Sequence, residues 1–163
     1  MDWGYLYSSF DGRISRKPYW LASIPLILIG LVLAGMQMAV SDGFTRLPSF
    51  GYRFGLFIVE TALWYPIAAL MVKRLHDRNR PGAYVWLLIG PALVMGVTEL
   101  FGITSDPTNP TALDDAFGIF ALIVLLLFLV ELGFRRGTVG PNLYGPDPLE
   151  PLTASARTPA QIG

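Results

Sequence analysis

Hydrophobic positions in this chain come in long unbroken stretches, not in the alternation of a half-buried strand or the one-sided stripe of a surface helix. From Pro18 to Ser41 no residue is charged, and Leu26–Leu33 is aliphatic apart from Gly30. About 20 apolar residues cross the hydrocarbon core as a helix, so a first transmembrane helix is predicted over about 20–40. The apolar region of a signal peptide, at roughly 7–15 residues, is shorter. Three more stretches, 54–72, 83–103 and 116–134, each carry one carboxylate: Glu60, Glu99 and Glu131 respectively. Phe120–Val130 is apolar on every side, which a helix on the surface of a water-soluble bundle is not. The predicted fold class is therefore all-α: a polytopic membrane protein with four transmembrane helices in one domain over 1–148. Pro25, Pro66 and Pro91 fall inside the predicted helices and imply kinks, because neighbouring helices in a membrane satisfy the freed carbonyls.

Charge adds an orientation. The totals cancel, with 12 Lys+Arg against 12 Asp+Glu, but their placement does not. Arg13, Arg16 and Lys17 precede the first helix, Lys73, Arg74, Arg78 and Arg80 lie between the second and third, and Arg135, Arg136 and Arg157 follow the fourth. Only Arg46 and Arg53 fall on the other side. The positive-inside rule then places both termini in the cytoplasm. Trp3, Tyr5, Leu6, Tyr7 and Phe10 read as a short N-terminal interfacial segment, either lying in the headgroup region or serving as an anchor that sets the entry of the first helix. Trp64 and Tyr65, near mid-membrane, are expected to pack between helices. Residues 149–163 are Pro-rich and poor in large apolar side chains, and read as a disordered cytoplasmic tail.

Composition narrows the chemistry. Charged residues make up 15% of the chain against about 25% in soluble domains. No basic excess marks a nucleic-acid partner. Cysteine is absent, which excludes disulfides, thiol catalysis, Cys-ligated zinc and iron–sulfur clusters.

Three local motifs carry a resemblance. Phe10-Asp11-Gly12-Arg13-Ile14-Ser15-Arg16-Lys17-Pro18-Tyr19-Trp20, Arg74-Leu75-His76-Asp77 followed by Gly82, and Asn142-Leu143-Tyr144-Gly145-Pro146-Asp147-Pro148 bracket the four hydrophobic stretches in order. Together they resemble the small bacterial inner-membrane proteins catalogued as domain of unknown function 805, over roughly residues 1–148. The resemblance implies a location in the bacterial cytoplasmic membrane and brings no established enzymatic activity. The chain departs from that pattern at Asn79, where glycine is common, at Pro81, at Ala83 and Tyr84 in place of a Trp pair, and at Leu143 in place of a basic residue. Asn at position 79 is still compatible with a left-handed turn.

All three motifs are expected on the cytoplasmic face, where Arg13, Arg16, Arg74, His76, Asp77, Asn142 and Tyr144 converge below the helices. One reading pairs Arg74 and Arg13 with Asp77 and Asp11, and has the Asn142–Pro146 segment turn the tail back as a cap. A second makes the cluster a binding site for anionic headgroups or a partner's acidic segment, since each basic residue beside a membrane contributes about 1 kcal/mol with anionic lipid. His76 is the only histidine. Its neighbour Asp77 does not share its helix face, and neither a Gly-x-Ser-x-Gly motif nor a metal-ligand set is present. No catalytic residue, cofactor or metal is assigned.

The intramembrane glutamates divide in two. Glu131 has Arg135 at i+4 and reads as a structural pair. Glu60 and Glu99 lie roughly 9 Å and 6 Å inside the outer boundary at 1.5 Å per residue. They either meet at one depth and share a proton, or Glu60 bonds to its neighbours while Glu99 reaches out to Arg46 or Arg53. Gly30-x-x-x-Ala34, Gly35-x-x-x-Ala39 and Ala92-x-x-x-Gly96 offer sites of close helix approach. The functional expectation is a non-enzymatic accessory membrane protein that meets lipid or a partner through its basic face. The alternative is a small proton-coupled transporter or oligomeric pore using Glu60 and Glu99. Expected partners are membrane lipids, anionic headgroups among them, and a protein partner or further copies of the chain.

Overall fold

The structure, a computed structural model, describes residues 2–43, 49–101, 103 and 112–150. The expected disordered tail lies outside these residues beyond Glu150, as does Arg46.

A short helix α1 (Trp3–Ser8) is followed by α2 (Arg16–Gly43), α3 (Phe50–Asp77), a 3-10 turn (Gly82–Val85), α4 (Trp86–Leu100) and α5 (Ala112–Phe128). The last of these widens into a π-helical turn over Leu129–Phe134. Four helical segments, Arg16–Gln37, Phe50–Asp77, Gly82–Leu100 and Asp115–Phe134, are long and apolar enough to cross a membrane. The chain is an all-helical membrane protein, and among the described residues no strand is present.

Helices α2 and α3 run past the hydrophobic stretches that announce them, whereas α4 is shorter than the predicted 83–103, its first turn being 3-10 over Gly82–Val85. Both α2 and α3 have 28 residues, about 42 Å of helix, against a hydrocarbon core about 30 Å thick. Hydropathy marks only the lipid-embedded middle of each, while backbone hydrogen bonding carries the polar ends onward. Pro25, Pro66 and Pro91 stay inside α2, α3 and α4.

Helix α3 is the central element, packing against α1, α2, α4 and the π turn, while α5 leans on α4. Both clusters of buried apolar residues sit around the last turns of α3. One joins Met71, Leu75, Val85, Ile89 and Leu132; the other joins Leu6, Ile14, Ala22 and Leu70. Trp64 packs against the first, as expected from the sequence. Tyr65 does not pack between spans: it is 53% exposed, its hydroxyl donates to the Ser8 carbonyl at 2.9 Å, and its ring meets Phe10 edge-on at 5.3 Å. The reason is that α1 and its following loop lie along this face of α3, so Tyr65 anchors the N-terminal segment. Of the small-residue pairs, Ala92-x-x-x-Gly96 serves the α3–α4 contact, where a Cβ on Gly96 would stand 3.2 Å from the Phe57 ring. Gly30 and Gly35 face open space.

Candidate functional site

The last two turns of α3 bury three charged side chains, Lys73, Arg74 and Asp77, and the N-terminal segment buries a fourth, Arg13. Charges leave water at a cost of several kcal/mol each, repaid only by close partners of opposite charge or polarity. Each of the four has such partners.

Lys73 closes α1. The last carbonyls of a six-residue helix need partners from outside it: that of Tyr5 accepts from the Ser9 N–H at 3.2 Å, and the Lys73 ammonium donates to those of Tyr5 and Leu6, both at 2.7 Å. It also stands 4.6 Å from the centre of the Tyr5 ring. At the other end of α1, Asp2 accepts from the Tyr5 N–H at 3.1 Å.

Arg74 does the same for the end of α5. Its Nε donates to Leu132 O at 2.6 Å and its Nη2 to Arg135 O. Trp20 Nε1 donates to Gly133 O at 3.1 Å and Arg16 Nη1 to Phe134 O at 3.2 Å. Arg78 donates to Arg136 O. Five consecutive carbonyls, 132 to 136, thus accept from side chains of α2, of α3 and of Arg78, the residue that caps α3. Cations at the negative end of a helix dipole are favourable, and here they also fasten three elements together. A Cβ on Gly133 would stand 2.6 Å from the Trp20 ring, so only glycine lets the indole reach this backbone.

Asp77 is the centre of the arrangement. Arg13 approaches its Oδ1 from the N-terminal segment through Nε at 3.2 Å and Nη2 at 3.1 Å, and Arg74 Nη1 contacts Oδ2. Gly137 passes so close that a Cβ there would collide with the carboxylate. The next residue, Thr138, donates its N–H to Asp77 O at 2.8 Å. Arg13 continues outward to the carbonyls of Thr138 at 2.7 Å, Gly140 at 2.8 Å and Gly145 at 3.1 Å. One guanidinium therefore binds the carboxylate of α3 and the backbone of the segment after α5.

That segment is folded back by its own turn. Asn142 and Gly145 exchange backbone hydrogen bonds, with Gly140 and Gly145 at φ of 76° and 134°, conformations that favour glycine. Asn142 Nδ2 donates to His76 O at 2.9 Å, and Tyr144 stacks on the His76 ring at 3.8 Å and 5°. His76 Nδ1 lies 3.2 Å from Gly12 O. Asp147 accepts from the N–H groups of Leu149 and Gly140 at 2.9 and 3.0 Å. These bonds, the Leu149 one first, hold its carboxyl below the usual aspartate range.

All seven basic-face candidates lie in or beside this network, with Arg16 at its edge. One pairing differs from expectation: Asp77 takes both arginines, while Asp11 contributes its carbonyl, which accepts from Tyr5 OH at 2.7 Å. The reason is reach, since Arg13 turns inward toward α3 and the returning segment. His76 and Asp77 face different partners, as their adjacency on a helix requires. Asn79 adopts the left-handed turn, with φ of 54°. Sequence reasoning passed over Lys73, Trp20, Gly133, Gly137 and Thr138. The glycines four apart at 133 and 137, one at the end of the last hydrophobic stretch and one just after it, were the available signal.

Glu131 binds Arg135 at 2.7 Å, as its spacing suggested, and also Arg78 at 3.1 Å. Glu60 accepts from Gln37 Nε2 of α2 at 3.2 Å. Arg53 donates to the Glu99 backbone carbonyl at 3.1 Å. Among the described residues no three His, Asp or Glu side chains gather as a metal-ligand set.

The family described as protein of unknown function DUF805 matches residues 7–146, from α1 to the turn that closes on Arg13. The chain belongs to this family. YiiR of Escherichia coli K12, an uncharacterized protein, is 36% identical over 140 residues and 85% of both chains. The inner membrane protein YhaI of the same organism is 28% identical over 142 residues and 87% of both. The inner membrane protein YhaH is 26% identical over 163 residues, 93% of this chain and all of that one. No solved structure matches. In this DUF805 chain the three motifs are the three strands of one network: the first supplies Arg13 and Gly12, the second Arg74, His76 and Asp77, the third Asn142, Tyr144 and Gly145.

Proposed function

We propose that this protein acts without catalysis, as an accessory component of the bacterial cytoplasmic membrane whose basic end faces the cytoplasm and meets the anionic inner leaflet. The observation that carries this reading is a division among the cations. Arg13, Lys73 and Arg74 are consumed inside the network, whereas Arg16, Lys17, Arg80, Arg135 and Arg136 remain exposed around it. A rigid polar end with exposed arginines on its rim suits anionic headgroups. The inner-membrane names of two relatives support the location. Native mass spectrometry of the protein extracted with its surrounding lipid tests the reading: anionic phospholipid is retained in excess of its share of the membrane. Retention in proportion to that share contradicts it.

A second reading rests on one specific observation, the hydrogen bond by which Gln37 of α2 holds the Glu60 carboxylate between the helices, at the level where Arg53, on the same helix as Glu60, reaches the Glu99 backbone. A carboxyl held inside the membrane suits proton exchange in a transporter. That reading predicts proton flux in liposomes that Glu60→Gln abolishes; flux no greater than in protein-free liposomes contradicts it.

A further inference from the structure

At the junction of α2 with the π turn, exposed cations surround an aromatic step. Arg16 and Lys17 open α2, and no acidic residue in that first turn offsets them. Arg16 uses one nitrogen on Phe134 O, leaving the rest of an exposed guanidinium unassigned. Arg135 has a 58% exposed side chain and pairs with Glu131 through one nitrogen. Arg78 and Arg136 stand beside them, Arg78 on the same Glu131 and Arg136 through its carbonyl on Arg78. Of these five cations only Arg78 and Arg135 pair with Glu131, so the junction carries a clear local excess of positive charge. Between Arg16 and Arg135 lies Phe134, 62% exposed, with its ring 5.9 Å from that of Trp20. Along α2 from Trp20, the exposed Ile24, Ile27 and Leu28 follow at helical spacings that share its face. The polar rim, the aromatic step and the apolar flank follow one another in the order of a phospholipid's phosphate, glycerol region and acyl chain. Trp and Tyr belts occupy that middle depth in membrane proteins generally.

We infer that this junction is a binding site for one anionic phospholipid, its phosphate diester held by Arg16 and Arg135 and its acyl chain laid along α2. Guanidinium groups suit the task because their planar fork matches phosphate oxygens in pairs. The inference deepens the proposed function and rests on it. Lipid contact is concentrated at this junction instead of being spread over every exposed cation. Arg80, exposed beyond the end of α3, contributes only the share of an ordinary juxtamembrane charge.

The test is a titration of the detergent-solubilised full chain with phosphatidylglycerol, read by native mass spectrometry as the apparent Kd of the first bound lipid, with helicity measured for every variant. Arg16→Gln and Arg135→Gln, each retaining wild-type helicity, weaken that Kd about tenfold or more, and Arg80→Gln weakens it no more than about fivefold, the effect of about 1 kcal/mol. Lys17→Gln provides a second comparison on the same helix turn and falls between the two. Equal losses for Arg80→Gln and Arg16→Gln overturn the site while leaving the proposed function standing. Phosphatidylcholine bound as tightly as phosphatidylglycerol by the wild-type chain overturns both. Inorganic phosphate that competes with the lipid at equal concentration makes free phosphate the ligand and overturns the lipid assignment.

Discussion

At the scale of single residues, the decisive fact is that Asp77 is the shared counterion of two buried arginines. Removing its charge leaves Arg13 and Arg74 buried without a partner of opposite sign, and breaking a buried pair costs about 3–5 kcal/mol. Asp77→Asn is therefore expected to lower stability by that amount in a detergent unfolding titration. Combining it with Arg13→Gln costs less than the sum of the two single changes, because both remove the same bond. Additive losses contradict the shared-counterion role. The same burial explains why Arg13 and Arg74, prominent in the sequence as candidates for headgroup contact, are poorly placed for it, while Arg16 keeps its exposed position. Sequence position gives the number of cations at an end but not which of them face inward, since that depends on where the returning backbone supplies carbonyls.

At the scale of elements, backbone approach decides which glycines matter. Gly133→Ala drives a methyl group to within 2.6 Å of the Trp20 ring, and the forced shift of α2 against the π turn costs about 1–3 kcal/mol. Gly30→Ala meets open space and is neutral or stabilises by up to about 1 kcal/mol through helix propensity. The same unfolding titration separates the two, and equal effects contradict the assigned contacts. The contrast also shows what was legible beforehand. Four helices and their lipid-facing middles followed from hydropathy, because every backbone polar group in hydrocarbon must be satisfied within its own helix. The π turn was not legible: its carbonyls are held by Arg74, Trp20 and Arg16 from other elements, a long-range arrangement with no local signature. The anchoring of α1 escaped for the same reason, as Lys73 lies 67 residues from Leu6 and reads in sequence as one more positive-inside charge. The short π turn itself is a form that recurs where function constrains a helix, and it sits beside the proposed lipid site.

For the whole molecule, the network gathers the N-terminal segment, the end of α3 and the segment after α5 at a single end of the helices. This geometry makes the two terminal segments neighbours, so an even number of crossings follows, and the exposed cations of that end act on one membrane surface only. Orientation is therefore the property on which the lipid reading depends most. The chain contains no cysteine, so single introduced thiols report their surroundings without background. The direct measurement is labelling by a membrane-impermeant maleimide in intact and permeabilised spheroplasts, with one thiol at Val139, exposed beside the network, and another at Asp115, exposed at the start of α5. With the basic end in the cytoplasm, Val139→Cys reacts only after permeabilisation and Asp115→Cys reacts in intact spheroplasts. Labelling of Val139→Cys in intact spheroplasts, with Asp115→Cys protected, contradicts the account and removes the anionic inner leaflet as its partner.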